Sequence, residues 1–427
     1  MSSVEAPARS EARRRMIRRR RRTVTALIAL IVVAGVAYVA ACALAPLPEP
    51  RVSLAVEAER QVDLEPALAE AAVAAQGLPT AIGWADGEEV WANDDTAYAM
   101  GSISKLVTVL VGLEAQPLEP GADGPTYVWT AEDRANQDYY LSLDGVAYPI
   151  PVGTEITLRQ MLQLIFLPSS NDYAYAYAMW VFGSEEAFIE AVERFKAEHG
   201  LESLSLVEPT GMDDHNRASV ADLVRVARIA IDNPTVREFT GMQSAEMPWG
   251  IGLIENTNPL LGEMPGVIGL KTGMLSTVGY NLVAAQQTDA FGREVVGISV
   301  TLARPSKEDR AESGREMLTL MAGMPQQVEI VAEGEEVGSA LTVTGERVAL
   351  VTTGGASTVL LPGEAARRTI DLGAVTAGPS GSTAGAVLVS TPTGSAEVPV
   401  ATAGEITEPD LWWRLTNPGK LFGGGGS

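Results

Sequence analysis

Two polar side chains, a serine and a lysine, stand one helical turn apart in a stretch that is mostly apolar. The stretch is SISKLVTVLVGLE, in which two residues separate Ser102 from Lys105. Residues three apart share a helix face, and burial among apolar neighbours lowers the pKa of a lysine. A neutral Lys105 can take the proton of Ser102 and activate it as a nucleophile. The stretch by itself is equally well explained as a helix N-cap with a lysine beside it.

Lysine is scarce in this chain, and that scarcity draws attention to Lys105. Only five of the 427 residues are lysine, and positive charge is otherwise carried by arginine. Lysine, unlike arginine, can lose its proton in a buried site, so it suits a position that needs a base. We expect Lys196, Lys307 and Lys420 at the surface, because they lie in polar surroundings. The remaining lysine, Lys271, would lower the pKa of Lys105 further by repulsion if the two were close.

Two further short patterns carry side chains suited to catalysis. LPSSND puts Ser169 and Asn171 in a turn between two predicted helices, where a hydroxyl can relay protons and an amide can hold a substrate amide. GVIGLKTGM puts Lys271, Thr272 and Gly273 on a predicted strand, whose edge can accept an extended peptide. Thr272 can bind a terminal carboxylate, Lys271 supplies positive charge, and Gly273 allows close approach to the backbone. Each pattern alone is also explained as ordinary loop or edge-strand chemistry.

In this order, the three patterns resemble the set shared by penicillin-binding proteins and serine β-lactamases. The stretches GSISKLVTVLVGLE, LPSSNDYAYA, EPTGMDDHNRASVADLVRVA and GLKTGMLSTVGYNLVAA are similar to the D-alanyl-D-alanine carboxypeptidase family of low-molecular-mass penicillin-binding proteins. The resemblance covers roughly residues 78–325, and residues 326–408 resemble that family's C-terminal β domain in placement. It implies an α+β fold with a β-lactamase/transpeptidase-like antiparallel sheet flanked by helices, followed by a small all-β domain.

The resemblance also implies roles for the residues of the first two patterns. Ser102 would be the acylated nucleophile, and Lys105 would be the base for acylation. Ser169 and Asn171 would orient protons and the substrate amide. Asp172 follows directly and would either support Asn171 or serve packing.

The third pattern would hold the substrate's terminal carboxylate through Lys271, Thr272 and Gly273. The backbone N–H groups of Ser102 and Met274 would form the oxyanion hole. Some family members carry histidine where this chain has Met274, so a side-chain contribution to rate at that position is in doubt, whereas a backbone contact survives the change.

The implied activity is removal of the terminal D-Ala from peptidoglycan stem peptides ending in D-Ala-D-Ala, with β-lactams as inhibitors that acylate Ser102. Other activities of the same fold stay open, namely a β-lactamase or a peptidoglycan endopeptidase. A class A β-lactamase needs a positioned glutamate, and Glu208, Asp213 and Asp214 in the comparable loop do not follow that pattern. A non-enzymatic muropeptide-binding sensor or structural envelope protein is a further alternative, against which the three intact patterns count.

The composition limits the other possibilities. The formal net charge is −23, and residues 1–22 hold nine arginines and two glutamates, so the remainder carries a net charge of −30. Such an acidic body repels phosphates, which argues against nucleic-acid binding. The single cysteine, Cys42, rules out an intramolecular disulfide, and two histidines are too few for a histidine-rich metal site. We expect no metal ion or organic cofactor.

An uncharged run at residues 23–45 follows the arginines and is long enough to cross a bilayer. The arginines should keep the N-terminus cytoplasmic, which places the following residues outside the cell membrane. We favour an uncleaved single-pass anchor, because the run exceeds a usual signal peptide core. A cleaved signal, and a lipoprotein signal with Cys42 as the acylated residue, are the two alternatives.

The elements that must position the three patterns alternate along the chain. A helix is expected over 54–76, then a hairpin turning at Asp86-Gly87. Residues 117–155 are expected to be rich in loops, with a strand at 146–152. Three helices should begin after the N-caps Thr157, Ser184 and Ser219. Strand-like segments return from residue 266, with a turn at 289–292 and a helix at 306–323, so early and late strands must share one sheet.

The chain therefore divides into segments of different character. We predict a basic cytoplasmic segment (1–22), a transmembrane anchor or signal segment (23–45), a stalk and helix (46–77), a penicillin-binding catalytic domain (78–325), a C-terminal β domain (326–408) and a tail (409–427). The tail ends in GGGGS, a typical flexible linker, which we exclude from functional argument.

Overall fold

The computed structural model describes residues 6–423, so the first five residues of the basic segment and the last four of the GGGGS linker lie outside the described residues. Within that range the helices are α1 (Ala6–Leu44), α2 (Ala67–Ala74), α3 (Ser104–Ala115), α4 (Ala131–Ser142), α5 (Leu158–Phe166), α6 (Asn171–Phe182), α7 (Glu185–Glu198), α8 (Val220–Asp232), α9 (Pro234–Thr240), α10 (Lys307–Ala322), α11 (Leu411–Thr416) and α12 (Pro418–Phe422). A 3₁₀ turn, Gly101–Ile103, leads into α3.

The strands are β1 (Arg51–Leu54), β2 (Glu59–Asp63), β3 (Thr80–Trp84), β4 (Val90–Ala92), β5 (Tyr98–Ala99), β6 (Thr126–Val128), β7 (Glu155–Thr157), β8 (Arg217–Ala218), β9 (Ser244–Met247), β10 (Gly252–Glu255), β11 (Val267–Leu275), β12 (Gly279–Ala290), β13 (Arg293–Arg304), β14 (Gln326–Val331), β15 (Glu336–Leu341), β16 (Arg347–Thr352), β17 (Ala356–Leu360), β18 (Ala365–Leu372), β19 (Thr383–Thr391) and β20 (Gly394–Thr402). The chain forms two compact units. One comprises Asp63–Val328 and Val359–Ala365, and the other comprises the described parts of Met1–Val62, Glu329–Thr358 and Ala366–Ser427.

The unit around Asp63–Val328 is built on a five-stranded antiparallel sheet in the order β11-β12-β13-β3-β4. The prediction that early and late strands share one sheet is therefore confirmed, as is the hairpin between β3 and β4. Side chains along β12 alternate between two apolar cores. Leu282 packs with Leu318 of α10 on one face, and Val283 joins Val224 of α8 in the large helical core on the other. The α+β fold with helices flanking an antiparallel sheet is confirmed.

Local signals fix the helices that carry the site. Thr157, Ser184 and Ser219 each accept a hydrogen bond from the backbone N–H three residues on, as predicted N-caps. Such caps satisfy amide groups that the helix leaves unpaired. Gly200 follows α7 with φ +61°, a left-handed conformation suited to helix termination.

The other unit holds a seven-stranded sheet in the order β1-β15-β16-β20-β19-β18-β2. The strands after residue 326 were predicted, whereas β1 and β2 were not. The helix expected over 54–76 is wrong except at α2, because residues 51–54 pair with β15 and Ile370 N–H donates to Ala58 O. The predicted domain boundaries themselves stay predictions.

The segment 117–155 also differs from expectation. It contains helix α4, which begins with a capping box between Thr130 and Asp133, and residues 146–152 form no strand. The helix forms because Thr130 and Asp133 each bond the other's backbone N–H group. The apolar residues of 146–152 are instead held by side chains of α4 and α6, described below.

Candidate active site

Ser102 and Lys105 are in direct contact at the start of α3. Ser102 lies in the 3₁₀ turn, and Ile103, not Ser102, occupies the N-cap position of α3. Lys105 Nζ lies 2.7 Å from Ser102 Oγ and donates a second hydrogen bond of 2.7 Å to Thr210 O. The Lys105 side chain is fully buried. The hydroxyl of Ser102 thus lies next to the amine of Lys105. Ser102 is not the N-cap of α3, so that alternative explanation is wrong.

Close packing of glycine backbone brings the end of β11 against this turn. Gly101 has φ +58°, and a Cβ there would lie 2.8 Å from Met274 N. A Cβ on Gly273 would lie 2.3 Å from Met100 O. The absence of side chains at both glycines therefore lets the backbone of Met274 approach the turn that carries Ser102, while the Met274 side chain is largely exposed.

Burial controls the charge of both lysines at the site. It lowers the pKa of Lys105 to about 7, against the opposing effect of the carboxylates of Glu208 and Asp172. Burial also lowers the pKa of Lys271 well below its ordinary range, and the charges of Lys105 and Arg310 lower it further. We predicted that repulsion between the lysines would act on Lys105, and the structure has it acting on Lys271. Lys105 is thus available in the neutral form near neutral pH.

Ser169 and Lys271 are also in direct contact. Lys271 Nζ donates a 2.8 Å hydrogen bond to Ser169 Oγ across 102 residues of sequence. Ser169 lies between α5 and α6 with φ +70°. A left-handed conformation is unfavourable for a residue with a side chain, by about 1–3 kcal/mol, and recurs at functional sites. The strained turn presents the hydroxyl of Ser169 to the amine of Lys271.

Asn171 begins α6 and is almost fully buried. Its Oδ1 accepts a 2.9 Å hydrogen bond from Val146 N–H, and its own N–H donates to Val146 O at 2.7 Å. The carbonyl end of the side chain is therefore used to hold the segment after α4. A contact of Asn171 with a substrate would have to use the Nδ2 end, which is a donor.

Asp172 supports the same turn through a buried network. Its Oδ1 accepts from Ser170 Oγ at 2.5 Å and from Tyr173 N–H at 3.0 Å. Its Oδ2 accepts from Gln137 Nε2 at 2.8 Å and from Tyr148 N–H at 3.2 Å. Burial raises the pKa of Asp172, and these hydrogen bonds oppose the rise. Asp172 thus ties the turn before α6 to α4 and the following loop, and none of these bonds is to Asn171.

The Lys-Thr-Gly strand has two neighbours that the sequence patterns did not reveal. Thr272 Oγ1 shares a 2.7 Å hydrogen bond with Thr257 Oγ1. Arg310 of α10 is 7% exposed, stacks 5.7 Å from the centre of the Tyr280 ring, and among the described residues its Nε has no hydrogen-bond partner. A buried guanidinium with a free donor beside a lysine makes this end of the site suited to an anion.

The predicted site residues therefore come from three parts of the chain. Ser102 contacts Lys105, Ser169 contacts Lys271, and the charge of Lys105 acts on Lys271. Thr210, Glu208 and Arg310 join them. From sequence, Glu208 is considered only as a β-lactamase-type glutamate, and Thr210 and Arg310 are not singled out. Among the described residues, the clusters that could hold a metal ion are Asp213, Asp214 and His215, and Glu114, Glu198 and His199, and neither includes a predicted site residue.

The part of the chain that is similar to known proteins includes the predicted site residues. A family model described as D-alanyl-D-alanine carboxypeptidase matches residues 90–304, half of the chain. The chain is 28% identical over 197 residues to the D-alanyl-D-alanine carboxypeptidase DacF of Bacillus subtilis, covering 45% of this chain and 49% of that protein. It is 27% identical over 198 residues to a D-alanyl-D-alanine endopeptidase of Pseudomonas aeruginosa, covering 45% of this chain and 60% of that protein. The chain thus spans about half the length of these relatives.

Among solved structures, penicillin binding protein 5 of Haemophilus influenzae is similar with a TM-score of 0.54 and 18% sequence identity. The similarity covers 77% of this chain and 97% of that one. At this identity it shows a shared fold.

Proposed function

Because the chain belongs to the D-alanyl-D-alanine carboxypeptidase family, we propose that it is a serine-type D-Ala-D-Ala carboxypeptidase. It would remove the terminal D-Ala of peptidoglycan stem peptides through an acyl-enzyme on Ser102, and β-lactams would acylate the same residue. The observation that carries the proposal is the 2.7 Å contact between Ser102 Oγ and the buried Lys105 Nζ, whose pKa is lowered to about 7. An amine that is neutral near pH 7 can act as a general base.

In the acylation step, Lys105 Nζ takes the proton of Ser102 as Oγ attacks the carbonyl between the two D-Ala residues. The N–H groups of Ser102 and Met274 stabilise the negative oxygen of the tetrahedral intermediate. When the C–N bond breaks, the leaving D-Ala amine takes the proton that Lys105 removed from Ser102, with Ser169 as the proposed relay. Lys105 is then neutral again, and the acyl group is esterified to Ser102.

In the second step, water attacks the acyl carbonyl and Lys105 takes a proton from it. The ester bond breaks, and the proton passes to Ser102 Oγ. The products are the shortened peptide and free enzyme. This assignment uses the same base in both steps, since Lys105 Nζ contacts the serine that is both the nucleophile and the leaving group.

The terminal carboxylate of the substrate would bind at the Lys-Thr-Gly strand. β11 lies at the end of the strand order in its sheet, so its free edge suits an extended peptide. Thr272 Oγ1 would donate a hydrogen bond to that carboxylate. The charge of the buried Arg310 side chain adds to the positive potential near Lys271. Asn171 Nδ2 would donate to a carbonyl of the substrate.

The test is acylation and product release by Ser102→Ala. We expect the wild-type protein to be labelled by a fluorescent penicillin and to release D-Ala from a pentapeptide, and Ser102→Ala to do neither. Ser142→Ala, an exposed serine on α4, should behave as wild type. Labelling that survives in Ser102→Ala would refute the assignment of the nucleophile.

The same measurements separate the alternatives. Cleavage of crosslinked muropeptide dimers in preference to pentapeptides would favour an endopeptidase, the name borne by the Pseudomonas relative. Steady hydrolysis of a chromogenic β-lactam would favour a β-lactamase. Peptidoglycan binding without either product would favour a sensor.

We also propose that α1 is an uncleaved anchor, with the N-terminus cytoplasmic and the catalytic residues outside. Residues Arg13–Leu44 of α1 are long and apolar enough to cross a membrane. Arg414 Nη1 donates to Ala43 O at 3.2 Å and to Ala45 O at 3.0 Å, which satisfies carbonyls at the helix end. Tyr38 Oη donates to Leu415 O at 2.7 Å. These contacts support retention of α1, since cleavage would remove the partners of the tail.

The burial of Cys42 bears on the choice between an anchor and a lipoprotein signal. Its side chain is fully buried, whereas lipid attachment would require its sulfur to be accessible and the preceding residues to be cut away. Its burial supports an anchor and counts against a lipoprotein.

A further inference from the structure

The segment 207–216, which we call the strap, lies against the first turns of α3. Its Thr210 O accepts the 2.7 Å hydrogen bond from Lys105 Nζ. Its Pro209 O accepts a 2.8 Å hydrogen bond from Thr108 Oγ1, one helical turn further on. Backbone carbonyls of the strap therefore form part of the immediate surroundings of the proposed base, and their position decides where Lys105 Nζ points.

Glu208 holds the strap in this shape. Its carboxylate accepts hydrogen bonds from Thr210 N–H at 2.7 Å and from Gly211 N–H at 2.6 Å. It also accepts from Asn216 Nδ2 at 2.9 Å, and that buried amide donates to Glu208 O and to Ser104 Oγ. The carboxylate thus folds the strap back on itself and fixes the peptide unit that follows Pro209.

The hydrogen bond to Thr210 O has a consequence for the base. A neutral amine has two N–H groups and one lone pair, and a base is effective only if its lone pair faces the proton to be removed. With one N–H directed at Thr210 O, the amine of Lys105 can turn its lone pair toward Ser102 Oγ. Without that carbonyl, Lys105 is equally able to donate to Ser102, which is the unproductive orientation.

Glu208 also contributes a charge. Among the groups that act on Lys105, the carboxylates of Glu208 and Asp172 favour its protonated form. Lys271 is the other amine of the site, and burial holds its pKa well below the ordinary range. Tyr140 lies beside the strap, and burial raises its pKa so far that it stays neutral. Glu208 is therefore the carboxylate with the largest effect on Lys105.

We infer that Glu208 is a positioning residue for Lys105, which holds the Thr210 carbonyl against Nζ and sets the pH at which the amine becomes a base. The inference rests on the proposed function of Ser102 and Lys105. Glu208 touches neither the nucleophile nor a reacting atom, and it acts through the strap and through its charge.

The experiment measures the acylation rate of the full chain by a fluorescent penicillin from about pH 5 to pH 9. Glu208→Gln removes the charge and exchanges one acceptor for a donor. We expect its plateau rate to fall and the acid limb of the profile to move to lower pH by about one unit, because the protonated amine loses its carboxylate. Asp214→Asn is the matched control, since it makes the same charge change on the same strap, and its limb should stay in place.

Glu208→Asp separates charge from shape. It keeps the carboxylate but shortens its reach, so its plateau rate should fall while its acid limb stays near that of the wild type. Thermal melting would reveal whether Glu208→Gln folds, and Glu208→Asp replaces it as the test variant if it does not. The inference is overturned if the limb of Glu208→Gln coincides with wild type, or if that of Glu208→Asp moves as far as we expect for Glu208→Gln. A wild-type protein that no penicillin acylates would instead overturn the proposed function.

Discussion

At the scale of single residues, the site depends on two lysines that are buried without carboxylate partners in direct contact. Lys105 Nζ is bonded to a hydroxyl and a carbonyl, and Lys271 Nζ to a hydroxyl and the Thr272 carbonyl. Taking an ammonium group out of water is costly, so both amines shift toward the neutral form. An ion pair at either position would hold the charge and remove the base. The proposed reaction therefore requires that Lys105 has no carboxylate in direct contact.

The first prediction concerns pH. Lys105 acts as a base only when it is neutral, and its pKa is lowered to about 7. We expect the acylation rate to be low below that pH and to rise to a plateau above it. Stopped-flow measurement of penicillin acylation across this range checks the prediction, and a rate that falls as the pH rises through 7 would contradict it.

The second prediction concerns the identity of the base. Lys105→Arg keeps a cation of similar length, but guanidinium stays protonated in proteins and cannot accept the proton of Ser102. We expect acylation to fall by roughly 10²- to 10⁴-fold, with no recovery at high pH. The matched control is Lys196→Arg, at a partly exposed lysine paired with Glu193, which should leave the rate unchanged.

At the scale of elements, Ser102 is positioned by direct backbone contacts between neighbouring segments, which glycine residues make possible. Gly211 of the strap has φ +83°, and a Cβ there would lie 2.0 Å from Gly101 O and 2.9 Å from Ser102 N. The strap, the 3₁₀ turn and the end of β11 thus meet without side chains between them. Because backbone is less able to move aside than a side chain, the position of Ser102 is fixed tightly by these contacts.

The third prediction tests that contact with a pair of glycines. Gly211→Ala should displace the turn of Ser102 and lower acylation by roughly 10²-fold, as misplacement of a reacting group does. Gly250 has nearly the same φ, +82°, and nothing within 4 Å of a Cβ, so Gly250→Ala should cost about 1 kcal/mol of stability and leave acylation intact. Equal acylation by the two variants would show that the close approach at Gly211 is unimportant.

At the scale of the whole molecule, the N-terminal helix and the C-terminal tail meet within one unit. Arg414 and Leu415 of α11 contact the end of α1, so the two ends of the chain are joined where α1 emerges from the proposed membrane span. The tail also exposes Trp412 and Phe422.

The fourth prediction distinguishes an anchor from a lipoprotein. Cys42→Ala should leave the protein in the membrane fraction, because the apolar length of α1 is sufficient for anchoring. A chain that begins at Pro46 should be found in the soluble fraction. Release of Cys42→Ala from membranes, or a native N-terminus at Cys42 in mass spectrometry, would support lipidation instead.

The sequence by itself determined what depends on near neighbours. The N-caps Thr157, Ser184 and Ser219, the hairpin at Asp86-Gly87 and the strand-like segments from residue 266 are local signals, because helix ends and strands are set by residues a few positions apart. The three catalytic patterns were readable for the same reason. The order in which they occur was enough to indicate the family.

Only the tertiary structure decided what depends on distant partners. Residues 54–63 have the composition of a helix, and pairing with strands some 300 residues away made them strands instead. Glu208, Thr210 and Arg310 look like ordinary loop or surface residues in sequence, and their hydrogen bonds and charges at the site make them part of it. A contact across a hundred residues leaves no periodicity to detect. The direct bond between Ser169 and Lys271, and the desolvation that lowers the pKa of both lysines, exist only once the chain has folded.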